Sequence, residues 1–339
     1  AMRPPLPATR PPSTARCPAP GAPPTLCAGP PTSAHETPLT WQRERDPLTG
    51  KPAGLLDRCR TTATCPRIFD TFTSTEFRQY AMAYTWVDPM ARRDLVLPAN
   101  VKVYFLTGSQ HGTADSQAKP IPPGVCQLAR NHGPNKETQR ALLVAMEDWL
   151  TTGRAPPPSR VPTLAARQLA SPSAAGWPAI PGVTYPTRSL VPTPTDWGAG
   201  FDAVDESGIT GRAPRPRASA AFPPLVPRVD ADGNETSGIR PTAIQVPLGT
   251  YTGWNTRRAG FGEGELCGLS GGFVPFAATK AERLAKGDPR PSLEERYATH
   301  DDYVRAVYHA AAALQGERFL LPEDAARLVH EAETSGIGR

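Results

Sequence analysis

Several classes of protein are excluded by what this sequence has little of. It has no run of 18 apolar residues, so no segment is predicted to span a membrane, and no apolar stretch indicates a signal peptide. The net charge is only +5, and the arginines are scattered without interleaved aromatics, so nucleic acid is not expected as a partner. The cysteines and histidines lie at no metal-ligand spacing, and no motif implies a metal or an organic cofactor.

Proline, in contrast, is abundant. The 339 residues include 42 prolines and 29 glycines, which predicts long stretches of irregular backbone. Residues 1–34 are about one-third proline with almost no large apolar side chains, so we expect this segment to be disordered. Residues 154–290 also carry a proline every few positions but keep isolated aromatics, which favours an irregular wrap packed on the rest of the protein.

The clearest regular elements lie between these two proline-rich segments. β-branched and aromatic residues predict strands over 67–73 and 101–106, whereas 77–86 is ambiguous between a helix and a packed loop. The pattern over 137–153 predicts an amphipathic helix, whose apolar face would consist of Leu142, Leu143, Met146, Trp149 and Leu150. Strand, connector, strand, loop and helix are typical of the end of a parallel sheet in an α/β fold.

The carboxyl-terminal part is helical again. Thr299 is a candidate N-cap with acidic residues in the first turn after it, and Pro322 fits the first turn of a second helix. We expect these two helices to form a hairpin within residues 291–339. The sequence therefore divides into a disordered segment, an α/β core over 35–153, the wrap, and this terminal hairpin.

One histidine stands out by its position. His111 follows the predicted strand 101–106 in a glycine-flanked loop, where an imidazole can serve as a general base at the carboxyl edge of a sheet. Glu76 follows the preceding strand in the same way, so it is placed to fix the tautomer of that imidazole. Acid, then histidine, on successive strand ends is the second half of the nucleophile, acid, base order of α/β-hydrolases.

Several longer runs carry a resemblance to a known family. From about Leu55 to Glu333 the chain resembles the carboxyl-terminal portion of the bacterial alpha/beta hydrolase domain family, which is a set of large serine hydrolases. The matching runs are GLLDRCRTTATCPRIFDTFTSTEF, LPANVKVYFLTGSQHG, ALLVAMEDWLTTGRAPPPSR, VPRVDADGNE, VPLGTYTGWN, GLSGGFVPFA, GDPRPSLEERYATHDDY and RFLLPEDAARLV. The resemblance implies acyl transfer on an ester substrate, with no cofactor.

The resemblance also implies roles for particular residues. His111 takes the position of the catalytic base. Glu76 fits best as the acid that orients the imidazole, Asp70 is the second candidate, and Asp94 is the third.

The nucleophile is where the chain departs from the family. Members carry a GxSxG elbow in an amino-terminal half, and residues 1–75 provide none, so we expect the missing half of the domain to be a partner and this chain alone to be inactive. Gly268-Leu-Ser270-Gly-Gly272 matches GxSxG literally, but no strand pattern precedes it and Pro275 follows closely. Ser270 is therefore expected to lie in a turn.

Two further questions remain open at the level of sequence. The alternative to a hydrolase is a non-catalytic, proline-rich binding or envelope-associated protein on a hydrolase-derived scaffold. Cys59 and Cys65 are six residues apart and could form a disulfide, which would favour a periplasmic or secreted protein over a cytoplasmic one. The other four cysteines look isolated.

Overall fold

The structure is a computed structural model. It describes residues 40–45, 50–112, 121–187 and 222–339, together with the backbone of four two-residue strands between 195 and 216. The segment 1–34, for which the sequence predicts disorder, lies outside the described residues, and the division of the chain into four parts stays a prediction.

Most of the described strands are short, whereas the helices include three of more than ten residues. The strands are, in chain order, β1 (Glu44–Arg45), β2 (Pro52–Ala53), β3 (Ile68–Thr73), β4 (Val101–Leu106), β5 (Ala129–Arg130), β6 (Leu169–Ala170), β7 (Thr195–Asp196), β8 (Phe201–Asp202), β9 (Ser207–Gly208), β10 (Arg215–Pro216), β11 (Val226–Pro227), β12 (Gly249–Tyr251) and β13 (Gly272–Pro275). The α-helices are α1 (Asp57–Thr61), α2 (Ser74–Gln79), α3 (Lys136–Thr151), α4 (Thr242–Gln245), α5 (Lys280–Lys286), α6 (Leu293–Arg296), α7 (His300–Gly316) and α8 (Pro322–Thr334).

The parallel pair β3–β4 is the centre of the fold. The two strands run in register over six residues, from Ile68 opposite Val101 to Thr73 opposite Leu106. Single backbone bridges cover the other edge of β4, where Tyr104 lies opposite Arg160 and Leu106 lies opposite residue 239. The other strand pairs are antiparallel. Helices combined with small sheets fit an α/β class.

The sequence of β4 explains why it is buried on both faces. Val101, Val103 and Phe105 point into one apolar cluster, whereas Tyr104 and Leu106 point into another. Side chains alternate between the two faces of a strand, so a nearly continuous apolar run is expected where both faces are covered. The strand is thereby fixed in register, and so is the loop that follows it.

Helix α3 begins and ends close to the prediction, but the predicted apolar face was partly wrong. Its buried stripe follows the helical repeat through Ala141, Leu142, Ala145 and Trp149, together with Glu137 and Thr138 nearer the start. Leu143 and Leu150 are 70% and 60% exposed, because they lie about a quarter-turn or more away from that stripe. The second cluster, around Tyr104, receives Leu142 from this helix.

Helices α7 and α8 pack against each other and against the same side of β4. Thr299 caps α7 as predicted, because its Oγ1 accepts a hydrogen bond from the backbone N of Asp302 at 3.1 Å. Leu314 and Leu328 reach the cluster that contains Tyr104. The ambiguous stretch 77–86 is divided between the end of α2 and a 3₁₀ turn over Met82–Thr85.

Two disulfides connect the loops. Cys59 and Cys65 are bonded, as their spacing had allowed. Cys126 and Cys267 are also bonded across a separation of 141 residues, so the prediction that they are isolated was wrong. The segments that carry them meet through single bridges between Cys126 and Arg257 and between Thr256 and Leu266, which the sequence spacing does not reveal.

Candidate active site

Glu76 sits at the start of a helix that begins directly after β3. Its Oε2 accepts hydrogen bonds from the backbone N of Thr73 at 2.7 Å and from Thr73 Oγ1 at 2.5 Å. The residue is only 9% exposed. A glutamate that reaches back to the residue before the helix satisfies a backbone N–H that has no partner within the helix. The first turn of α2 therefore holds this carboxylate in place.

His111 approaches the same carboxylate from the loop after β4. Its Nδ1 lies 2.5 Å from Glu76 Oε1, and the imidazole is 53% exposed. The backbone N of His111 donates to Thr75 Oγ1 at 3.0 Å, which ties the loop to the start of α2 a second time. The two parallel strands thus bring an acid and a histidine together at their shared carboxyl edge.

The arrangement determines which ring nitrogen can do chemistry. A carboxylate next to Nδ1 favours the tautomer with the proton on Nδ1, and Nε2 then carries the lone pair. Among the described residues, none forms a hydrogen bond with His111 Nε2. The half-exposed ring can therefore accept a proton at Nε2 from a group in front of it, and the carboxylate stabilises the imidazolium that results.

The two other candidate acids lie elsewhere. Asp70 is in the middle of β3 opposite Val103, and its Oδ2 accepts from Trp41 Nε1 at 3.2 Å. Burial raises the pKa of Asp70, and the hydrogen bond from Trp41 only partly offsets that rise. The carboxylate of Asp94 accepts hydrogen bonds from backbone N atoms of Leu164 and residue 165. Neither aspartate forms a hydrogen bond or ion pair with His111.

The loop that carries His111 is held by side chains that the sequence did not single out. Gly108 has a φ of +68°, and its backbone N donates to Glu235 Oε2 at 3.0 Å. The carbonyl of Gly108 accepts from Asn131 Nδ2 at 2.6 Å. Gln110 Oε1 accepts from the backbone N of Gly271 at 3.0 Å. Contacts over such separations leave no local pattern in a sequence.

The literal GxSxG match lies near this loop but does not form an elbow. A nucleophile elbow is a tight turn from a strand into a helix. Here β13 begins at Gly272 and so follows the serine, and the next helix begins only at Lys280. Ser270 makes no hydrogen bond with the imidazole of His111. The turn itself is bonded to α2, since Gln79 Nε2 donates to the carbonyl of Gly268 at 2.7 Å.

Two cavities in the described part of the chain lie away from the imidazole of His111. One cavity of about 20 Å³ lies behind α2 and is lined by Ser74, Arg78, Glu235 and several aromatic residues. That volume is room for about one water molecule. A groove of about 320 Å³ touches Arg160, Arg240 and Glu317 on the far side of β4. Neither is lined by Glu76 or His111.

Two further observations concern the described residues as a group. Within them, no cluster of three or more His, Cys, Asp and Glu side chains is placed to hold a metal ion. None of their helices has both the length and the apolarity needed to cross a bilayer.

Comparison with known proteins gives a family for the chain. The model of the family described as "Alpha/beta hydrolase domain" matches residues 26–330. No curated protein and no solved structure matches significantly. The family match covers most of the chain and includes both strands of the parallel pair, Glu76 and His111. The protein therefore belongs to the alpha/beta hydrolase domain family, as the sequence motifs had indicated.

Proposed function

We propose that this chain supplies the acid and the base of a serine hydrolase that acts on esters. The observation that carries the proposal is the 2.5 Å contact between Glu76 Oε1 and His111 Nδ1 at the carboxyl edge of the parallel strands. In a hydrolase of this family, an acid after one strand and a histidine after the next are the required partners of a nucleophilic serine. Glu76 is favoured over Asp70 and Asp94 because it alone of the three contacts the imidazole.

The proposed reaction is a two-step acyl transfer. A serine Oγ attacks the ester carbonyl carbon while His111 Nε2 takes its proton, and Glu76 stabilises the imidazolium. The carbonyl then re-forms, the C–O bond to the alcohol breaks, and the alcohol leaves with the proton from Nε2. In the second step a water molecule gives a proton to His111 and attacks the acyl carbon. The bond between the acyl carbon and serine Oγ then breaks, the carboxylic acid product leaves, and serine Oγ takes its proton back from Nε2.

The nucleophile in this proposal comes from a segment that precedes β3 in the complete fold, the missing amino-terminal half of the domain. One observation supports this. The sequence contains a single GxSxG match, at Ser270, and its surroundings lack the strand-to-helix turn.

The experiment is complementation of the chain with a nucleophile. The full chain is co-expressed with the amino-terminal half of a longer member of the family, and the mixture is treated with a fluorophosphonate probe and a p-nitrophenyl ester. We expect labelling of the serine on the added half and ester hydrolysis, both only when the two polypeptides are present. His111→Asn and Glu76→Gln should each reduce hydrolysis by a factor of about 10³ or more.

The matched controls are Asp70→Asn and Asp94→Asn, which should leave hydrolysis within about twofold of the unsubstituted chain, corrected for the folded fraction. Labelling of Ser270 in the chain alone, or hydrolysis that is indifferent to His111→Asn, would contradict the proposal. If the complementing half binds but no substrate is turned over, the alternative of a non-catalytic binding protein on a hydrolase scaffold is favoured.

A further inference from the structure

A second carboxylate, that of Glu235, joins the two strand ends that carry the candidate site. Ser74 Oγ donates to Glu235 Oε2 at 2.5 Å, and the backbone N of Gly108 donates to the same oxygen at 3.0 Å. Ser74 is the first residue of α2, and Gly108 is the second residue after β4. One oxygen atom therefore connects the turn after β3 with the turn after β4.

These two turns carry Glu76 and His111. Glu76 follows Ser74 by two residues on the same helical turn, and His111 follows Gly108 by three residues in the same loop. A displacement of either turn would change the distance between the carboxylate and the imidazole directly. Hydrogen-bonded groups have to remain within about 3 Å of each other for the contact to persist.

The surroundings of Glu235 make this connection rigid. Glu235 is held on a hairpin, with a single backbone bridge to Val229. Burial raises the pKa of Glu235, whereas the hydrogen bonds from Ser74 and Gly108 and the charge of Arg78 act to lower it. The Arg78 guanidinium lies over the rings of Tyr185 and Trp254 at 4.8 and 5.6 Å, so it is fixed in place. A hydrogen bond in such partly dry surroundings is stronger than one in water.

Gly108 is held from both sides of its backbone. While Glu235 accepts from its N–H, Asn131 Nδ2 donates to its carbonyl at 2.6 Å, and Asn131 is fully buried. Asn131 also donates to the carbonyl of Thr252 at 3.1 Å. The loop is also tied to α2 without Glu235, because the backbone N of His111 donates to Thr75 Oγ1 and the backbone N of Ser74 donates to the carbonyl of Ser109. Glu235 adds a side-chain link from Gly108 to Ser74.

We propose that Glu235 is a positioning residue, whose carboxylate holds the turn after β3 against the turn after β4 and so keeps Glu76 in contact with His111. Glu235 has no hydrogen bond with His111, so it is not a second candidate for the catalytic acid. The proposal deepens the proposed function and rests on it for its catalytic meaning. It makes its own prediction about geometry, which needs no nucleophile and no substrate.

The test follows the Nδ1 proton of His111 by NMR on the full chain. A proton shared between imidazole Nδ1 and a carboxylate gives a signal far downfield, and His111→Asn identifies it. That assignment is needed because His300 Nδ1 lies 2.8 Å from the carbonyl of Ile337. We expect Glu235→Ala to abolish the downfield signal. Glu235→Gln keeps an oxygen that can accept from Ser74 and Gly108, so the signal should remain.

The matched control is Thr236→Ala, which changes the next residue of the same hairpin, an exposed side chain, and should leave the signal unchanged. Far-UV circular dichroism establishes that each variant is folded. Persistence of the signal in folded Glu235→Ala would overturn the proposal. If Glu235→Ala does not fold, Ser74→Ala removes the contact with α2 alone, and an unchanged signal in that variant would be equally decisive.

The result also separates this proposal from the proposed function. Absence of the signal from the unsubstituted chain would mean that Glu76 and His111 do not form the pair, and both proposals would then fail. A signal that is present and is lost in Glu235→Ala supports the positioning role, whatever the outcome of the complementation experiment.

Discussion

Oε1 of Glu76 lies 2.5 Å from Nδ1 of His111, while Oε2 of the same carboxylate accepts two hydrogen bonds from Thr73. The acid therefore has two tasks, since it contacts the histidine and it completes the first turn of its own helix. The imidazole of His111 has only the first role, and it is half exposed. This asymmetry should be measurable as a difference in stability.

Glu76→Ala should lower the free energy of unfolding by about 1–2 kcal/mol, because it removes a helix-capping carboxylate from a buried position. His111→Ala should cost less than about 0.5 kcal/mol, since substitutions of exposed side chains away from such features have small effects. Urea denaturation of the two variants measures both values. A larger cost for His111→Ala than for Glu76→Ala would mean that the ring supports the fold more than the carboxylate does.

The backbone of Gly253, two residues after β12, lies against Ser74 at the start of α2. A Cβ added there would lie 2.2 Å from Ser74 Cβ and 2.4 Å from the Ser74 carbonyl carbon. Because the backbone of α2 would have to move, Gly253→Ala should lower the free energy of unfolding by about 1–3 kcal/mol and broaden the downfield proton of His111. The control is Gly316→Ala at the end of α7.

An added Cβ at Gly316 meets no atom within 4 Å, so that variant should be neutral or more stable by up to about 1 kcal/mol. Thermal unfolding followed by circular dichroism compares the two. An equal effect of both substitutions would show that the close approach of Gly253 to Ser74 is tolerated by a small rearrangement.

The sequence was sufficient for the parts of the structure that local pattern determines. The β-branched and aromatic run 67–73 predicted β3, and the apolar run 101–106 predicted β4. The N-cap at Thr299 predicted the start of α7. The sequence also favoured Glu76 as the partner of His111, with Asp70 and Asp94 as alternatives, because residues just beyond the ends of adjacent parallel strands meet at one edge.

Long-range contacts explain what the sequence did not reveal. Glu235 reaches Ser74 across 161 residues, and Cys126 reaches Cys267 across 141. Nothing in the sequence around either member of these pairs distinguishes it from a turn residue or an isolated thiol. The prediction for α3 was partly wrong for a different reason. Leu143 and Leu150 are apolar but lie on the solvent-exposed side of the helix, so they were assigned to the buried face.

The two disulfides should differ in their contribution to stability. Loss of chain entropy in the unfolded state grows with the length of the closed loop, and separations of 6 and 141 residues correspond to about 2 and about 5 kcal/mol in the entropy model. Replacing Cys126 and Cys267 together by serine should therefore lower the urea midpoint more than replacing Cys59 and Cys65. Equal shifts of the midpoint would contradict this account.

Arg290 and Asp288 form a buried ion pair beneath β12 and β13. Arg290 Nη2 lies 2.6 Å from Asp288 Oδ2, and Nη1 also donates to Thr250 Oγ1 at 2.8 Å. Burial raises the pKa of Asp288, but the hydrogen bonds and charge of Arg290, with the charge of Arg283, outweigh it, so the pKa is below its usual 3.8. The stabilisation is therefore complete above about pH 4 and is lost as the pH falls through the folded-state pKa.

Arg290→Met should cost about 3–5 kcal/mol at pH 7, because it leaves the carboxylate of Asp288 buried without its partner. As the pH falls and that carboxylate is protonated, the difference between this variant and the unsubstituted chain should narrow. Urea denaturation at pH 7 and at about pH 3 measures it. Arg305→Met is the control, since the pair of Arg305 with Asp302 is exposed to solvent and its loss should change the stability little at either pH. A difference for Arg290→Met that stays constant between the two pH values would mean that the ionisation of Asp288 is not what Arg290 stabilises.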